Sequence, residues 1–101
     1  MLLLEYNWRK EVLESEVPVL VHFWGPGCPP CRAMEPYIET LANDFKVCKA
    51  NTAKNHALAA HYGVSAVPTL MIFQEGEVVF RHVGLLSEAE LRSEMEKVSQ
   101  T

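Results

Sequence analysis

Long hydrophobic runs are missing from this sequence, and no apolar stretch approaches the roughly 20 residues a bilayer-spanning helix requires. Met1-Leu2-Leu3-Leu4 opens apolar, but Glu5 ends the run. No basic leading region or small-residue cleavage site accompanies it, so a secretory leader is not expected. A basic stripe is missing too. Nine Lys and Arg against 13 Asp and Glu leave a net charge of −4, with the signs interspersed. That balance argues against nucleic acid or an anionic membrane as partner. No repeat, low-complexity tract or linker divides the 101 residues, which suffice for one core but not two. A single domain over 1–101 and a monomer are therefore expected. Cysteine is scarce and odd in number: three, two of them at Cys28 and Cys31. A disulfide-stapled secreted scaffold would carry more, evenly paired and widely spaced. What remains is redox chemistry or metal binding in a reducing compartment: the cytoplasm, or a reducing organelle interior once a targeting peptide has been removed.

What is present reads as alternating helices and strands. Asn7 suits the N-cap of a helix over Trp8 to Ser15. Val17 to Trp24 is an almost continuous apolar, β-branched and aromatic run, the pattern of a strand buried on both faces. Gly25-Pro26-Gly27 ends it, and the spacing of Met34, Tyr37, Ile38 and Leu41 predicts a helix from Cys28 to Asn43, interrupted by Pro36. Phe45 to Ala50 reads as a strand, His56 to Tyr62 as a short helix, and Pro68 to Phe73 as a strand. Glu75-Gly76-Glu77 turns that strand into a hairpin with Val78 to Val83. Ser87 and Glu90 have capping-box spacing at the head of a last helix. The order α-β-α-β-α-β-β-α implies an α/β fold, a central mixed sheet with helices on both faces.

The strand, turn and helix put Cys28 at an N-cap and Cys31 at N3, so the two sulfurs lie on one side of the first turn and can close a small ring. A thiolate at Cys28 faces the positive end of the helix dipole and can accept a backbone hydrogen bond, both of which lower its pKa. The thiolate is the nucleophile of disulfide exchange, so Cys28 attacks and the deeper Cys31 resolves the mixed disulfide. Pro30 has no amide to give, which leaves the Cys31 N–H as the capping donor. Pro29 suits the first helical position, but residues before proline resist helical dihedrals. A strained first turn and a reduction potential altered from that of a glycine at 29 are expected. Zinc is the alternative: Cys28, Cys31, His56 and His61 superficially form a ligand set. The long helix and apolar strand between the two pairs argue against it, and the plainer reading of both histidines is a half-exposed helix face.

Phe23-Trp24-Gly25-Pro26-Gly27-Cys28-Pro29-Pro30-Cys31-Arg32 resembles the active-site segment of the thioredoxin family. Pro36, Val67-Pro68-Thr69, Gly76 and Gly84 extend the likeness over nearly the whole chain. The resemblance implies the thioredoxin fold and a thiol–disulfide oxidoreductase, most simply a dithiol reductant of protein disulfides. Its partners would be disulfide-containing proteins and an electron-donating reductase such as a thioredoxin reductase, with no cofactor beyond the Cys28–Cys31 redox pair. It further implies a cis Pro68, a substrate groove formed by Trp24, Gly27, Pro29, Pro30, Val67, Pro68 and Gly84, and a supporting Lys49. Trp24 should pack beside the disulfide.

Three departures from the family pattern stand at the site. His22 occupies the place of a buried aspartate that moves the proton of the resolving cysteine, and a neutral imidazole could take that role; the plainer reading is a core histidine satisfied by a backbone carbonyl or by the neighbourhood of Lys49. Gly27 replaces a tryptophan, removing flat apolar area beside Cys28. Pro29 is the third. A disulfide oxidase or isomerase, and an adaptor whose dithiol is incidental, are the competing functions. The Pro29-Pro30 spacer, without a histidine, favours the reductase over the first; retention of both cysteines and Pro68 favours it over the second. Cys48 lies in an apolar strand and reads as a structural thiol.

Overall fold

The computed structural model describes residues 1–99; Gln100 and Thr101, included in the expected domain, lie outside them. The chain runs β1 (Leu2–Leu3), α1 (Glu5–Trp8), a π-helical turn (Arg9–Leu13), β2 (Val19–Trp24), α2 (Pro29–Leu41), β3 (Lys46–Asn51), α3 (His56–His61), β4 (Thr69–Gln74), β5 (Glu77–Val83) and α4 (Glu88–Ser99). The five strands form one sheet in the order β1-β3-β2-β4-β5. β3 runs parallel to β1 and β2, while β4 runs antiparallel to β2 and β5. The sheet is mixed, as expected.

Side-chain alternation along the strands divides the core in two. Val19, Val21, Phe23, Met71 and Phe73 point to one face and meet Trp8, Val12 and Leu58. Leu20, Leu70 and Ile72 point to the other and meet Met34, Ile38 and Leu41 of α2 and Leu91 and Met95 of α4. On the first face Trp8, Tyr62 and Phe73 form an aromatic cluster with centroid distances of 5.3 Å. The Trp8 indole N–H donates to the Tyr62 hydroxyl at 3.2 Å, which satisfies the polar edge of a buried ring.

Three expectations need correction at the N-terminus. β1 was not anticipated; two residues are too short for a periodic signal, and only pairing with Lys49 and Ala50 defines the strand. The first helix begins at Glu5, not Trp8, and continues as a π-helical turn to Leu13. Asn7 is therefore inside the helix, not its N-cap. It still caps, from the third helical position: its Oδ1 accepts the Leu4 backbone N–H at 2.7 Å and its Nδ2 donates to the Leu2 carbonyl at 3.2 Å. Elsewhere the elements fall within two residues of expectation. The Glu75-Gly76 turn has φ of 54° and 81° at its two central residues, the left-handed pair that a two-residue hairpin demands and that glycine adopts without cost.

Candidate active site

Register brings the site together. Trp24 closes β2 beside Asn51, the last residue of β3, while Phe23 lies opposite Thr69 at the start of β4, itself opposite Val83 at the end of β5. The loops after β2, β3 and β5 and before β4 thus gather at one end of the sheet. Thr52 helps to fix this end: its N–H and its hydroxyl both donate to the Trp24 carbonyl, at 2.8 and 3.0 Å.

Cys28 is the N-cap of α2, with φ −104° and ψ 98°. Its sulfur accepts the Cys31 backbone N–H at 3.2 Å, the donor expected once Pro30 is set aside. Pro29 and Pro30 take the first two helical positions, whose amides have no helical acceptor anyway. The first i to i+4 bond, Arg32 N–H to Cys28 C=O at 3.2 Å, closes the turn in spite of the two prolines. Cys28 and Cys31 are joined as a disulfide, with Cα atoms 5.3 Å apart. Cys28 is 9% exposed and Cys31 only 2%, so a partner's sulfur has access to the first and not to the second. Gly27, just before the pair, has φ +70°, and a Cβ built there would meet nothing within 4 Å. The absence of a side chain leaves open surface, not a filled cradle.

The Val67-Pro68 peptide is cis, and the Pro68 carbonyl accepts the Gly84 N–H at 2.9 Å. Pro68 and Gly84 are thus locked to each other. The Thr69 hydroxyl donates to the Ala66 carbonyl at 2.6 Å and ties the other flank of the loop.

His22 is the unusual group. It lies between Lys49 and Leu70 in register and, two residues from Leu20, shares the sheet face that α2 covers. Its side chain is buried, 1% exposed. Neither ring nitrogen has a hydrogen-bond partner among the described residues, which corrects the expectation of a backbone carbonyl. Burial, reinforced by the Lys49 ammonium, lowers its pKa from 6.5 to about 4, so the ring is neutral at ordinary pH. Trp24 is half-buried and its indole N–H is likewise unpartnered.

The four residues weighed for zinc do not converge. The two cysteines are bonded to each other, and the described residues contain no cluster of three or more metal-binding side chains. His56 opens α3, while His61 closes it and packs edge-on against Tyr62 at 4.8 Å. Cys48 is fully buried, and burial pushes its thiol pKa up. Thr52 and Asn55 escaped the sequence reading. Asn55 Nδ2 donates to the Leu3 and Asn51 carbonyls at 3.3 and 2.9 Å, bracing the loop after β3. The polar run Asn51-Thr52-Ala53-Lys54-Asn55 after an apolar strand was the available signal.

A family model described as Thioredoxin matches residues 1–97. Thioredoxin 1 of Synechococcus elongatus is 42% identical over 95 residues, spanning 90% of this chain and 89% of that protein. The thioredoxin of Porphyra purpurea is 40% identical over 95 residues with the same shares. Thioredoxin M5, chloroplastic, of Oryza sativa subsp. japonica is 39% identical over 97 residues, spanning 92% of this chain and 56% of that protein. Among solved structures, a mutant thioredoxin from Halobacterium salinarum NRC-1 superimposes with a TM-score of 0.91 at 34% identity, covering 99% of this chain and 89% of that one.

Proposed function

This chain belongs to the thioredoxin family and is a thiol–disulfide oxidoreductase, and from that premise we propose that it works as a dithiol reductant of protein disulfides, with Cys28 as nucleophile and Cys31 as resolving cysteine. The observation that carries the assignment is the Cys31 N–H donated to Cys28 Sγ at a helix N-terminus. That bond and the helix dipole favour a negative sulfur at Cys28 in the reduced protein. The Cys28 thiolate attacks one sulfur of the substrate disulfide; a mixed disulfide forms and the substrate's other sulfur leaves as a thiolate. Cys31 then loses its proton and attacks Cys28 Sγ, the second substrate thiolate leaves, and the protein is left with the Cys28–Cys31 disulfide. Two electrons have passed to the substrate. A reductase of the thioredoxin-reductase kind returns them.

His22 is the base that takes the Cys31 proton, with Lys49 in support. The reading is supported by an imidazole that is buried and has no hydrogen-bond partner among the described residues, on the face beneath α2. The groove for the substrate chain is formed by Trp24, Gly27, Pro29, Pro30, Val67, Pro68 and Gly84. Val67 presents its backbone to the substrate at the sheet end, in the manner of a short added strand. The protein acts as a monomer in a reducing compartment, the cytoplasm or an organelle interior, and needs no cofactor beyond its own redox pair.

Trapping decides the assignment. Cys31→Ser incubated with a disulfide-bonded protein accumulates a mixed disulfide through Cys28, visible by mass spectrometry and released by dithiothreitol. Cys28→Ser does not, and neither variant turns over. Trapping through Cys31 in Cys28→Ser, with none in Cys31→Ser, would reverse the two roles.

A further inference from the structure

Charge is divided along the sheet. At one end lie the loops before β2, between α2 and β3, and between β4 and β5, and they hold Glu14, Glu16, Asp44 and Glu75. At the dithiol end the chain has no Asp or Glu between Glu16 and Glu35, between Asp44 and Glu75, or between Glu77 and Glu88. The loops that follow β2 and β3 and precede β4 fall in those gaps, so the walls they build beside Cys28 carry no carboxylate, while Glu5 after β1 and Glu88 and Glu90 at the head of α4 also belong to this end of the sheet.

Five of the nine cations are engaged, and of the rest Lys10 is exposed on the N-terminal helical segment and Lys49 is half-buried in register with His22. Arg9, Lys46, Arg92 and Lys97 are held in ion pairs, and Arg81 donates to the Tyr62 and Gly63 carbonyls. Arg32, immediately after Cys31, and Lys54, in the loop after β3, are exposed and enter no ion pair among the described residues. Of the carboxylates near this end, Glu35 is half-buried on α2, Glu88 is turned to Arg92 at 3.7 Å, Glu90 accepts from Ser87, and Glu5 lines a separate depression with Trp8, Ala57 and His61. Between the dithiol loop and α3 lies a cleft of about 440 Å³ lined by Gly25, Pro26, Ala53, His56, Ala60 and Val67, among others. Its rim carries His56, with Lys54 next to Ala53.

We propose that this cleft is a specificity site for an acidic partner segment: an apolar side chain next to the target disulfide enters over Ala53 and Ala60, and carboxylates beside it meet Lys54 and Arg32. The proposal rests on the reductase reading above and adds the class of protein that is served. Unpaired cations facing a partner's carboxylates steer the encounter and select against basic partners by like-charge repulsion, and the effect is screened within about 10 Å at 0.1 M salt.

The test uses two disulfide-cyclised peptides with the same leucine beside one cysteine, flanked by two glutamates in one and two lysines in the other, together with the uncharged bis(2-hydroxyethyl) disulfide. The prereduced protein reduces the glutamate peptide about tenfold faster at 20 mM ionic strength, and the gap narrows to about twofold at 500 mM. Arg32→Glu combined with Lys54→Glu inverts the order of the two peptides. Ala53→Trp, which fills the cleft, lowers kcat/KM for both peptides relative to the small disulfide. Equal rates for the two peptides at low salt, or no inversion in the double variant, overturn the acidic-partner site. Reduction of the small disulfide with neither peptide reduced does so as well. Failure to reduce any of the three substrates overturns the reductase reading itself.

Discussion

His22 shows how a single residue couples the site to the stability of the fold. An imidazole with a folded pKa near 4 and an ordinary value of 6.5 is neutral in both states above pH 6.5. Below that pH the unfolded chain binds a proton the folded chain refuses, so stability falls as pH drops from 6.5 toward 4. The linkage amounts to about 2 kcal/mol at pH 5. His22→Leu removes that slope and the desolvation of an unpartnered ring. Urea unfolding at pH 7, 6 and 5 is expected to show wild type losing about 2 kcal/mol more than the variant over this range, and parallel curves would disprove the linkage. The same substitution slows the resolving step by about a hundredfold if the imidazole is its base, which single-turnover release of substrate from the mixed disulfide measures. A Cys28 pinned by the Cys31 amide and a Gly27 that leaves the neighbouring surface open act just as locally. One sets where the sulfur's charge rests. The other sets how much of a partner can approach it.

Among the helices and turns, side-chain caps mark the starts of α1, α2 and α4, and each draws on a different device. α2 is capped by a sulfur, α1 from within by Asn7, and α4 by a reciprocal pair. Ser87 Oγ accepts the Glu90 N–H at 3.1 Å, and Glu90 Oε1 accepts the Ser87 hydroxyl at 3.0 Å and its N–H at 3.4 Å. Ser87→Ala is expected to cost about 1 kcal/mol, and a drop in thermal midpoint of less than about 2 °C would show the cap to be idle. Tyr37 carries the α4 start to α2 by donating to the Leu86 carbonyl at 2.6 Å. The hairpin turn is fixed from outside as well. A Cβ on Gly76 would come within 3.1 Å of the Leu13 carbonyl, at φ +81°. Gly76→Ala is therefore expected to cost about 1–2 kcal/mol, read by chemical denaturation, and an unchanged midpoint would refute the close approach.

Across the domain, one sheet serves two cores, and Phe73 joins the strands to the Trp8 and Tyr62 rings. Phe73→Ala leaves a cavity between β4 and the N-terminal helical segment. Its cost is expected at about 3–5 kcal/mol, measured by urea unfolding, and a loss under about 1 kcal/mol would mean that Trp8 and Tyr62 close over the gap. The charge of the protein is arranged over the same distances. No carboxylate lines the cleft beside the dithiol loop, which no single element reveals. That arrangement arises when loops far apart in sequence are gathered by strand register.

The strands, the longer helices and the position of both cysteines were legible in the residues alone, because local physics writes them plainly. Apolar alternation, a glycine-rich stop and prolines compatible only with the first helical turn act over a few residues. Cys28 as N-cap, with the Cys31 amide as its donor, followed from Pro30 having none to give. Other features exist only once the chain has closed on itself. β1 forms because Leu2 and Leu3 find β3, and Asn7 lies in the helix rather than at its cap because that pairing brings the chain in earlier. Only the folded sheet shows that His22, in register with Lys49 and Leu70, has no hydrogen-bond partner for either ring nitrogen among the described residues. Long-range pairing sets what surrounds a residue, and surroundings fix its charge state; spacing along the chain carries no record of either.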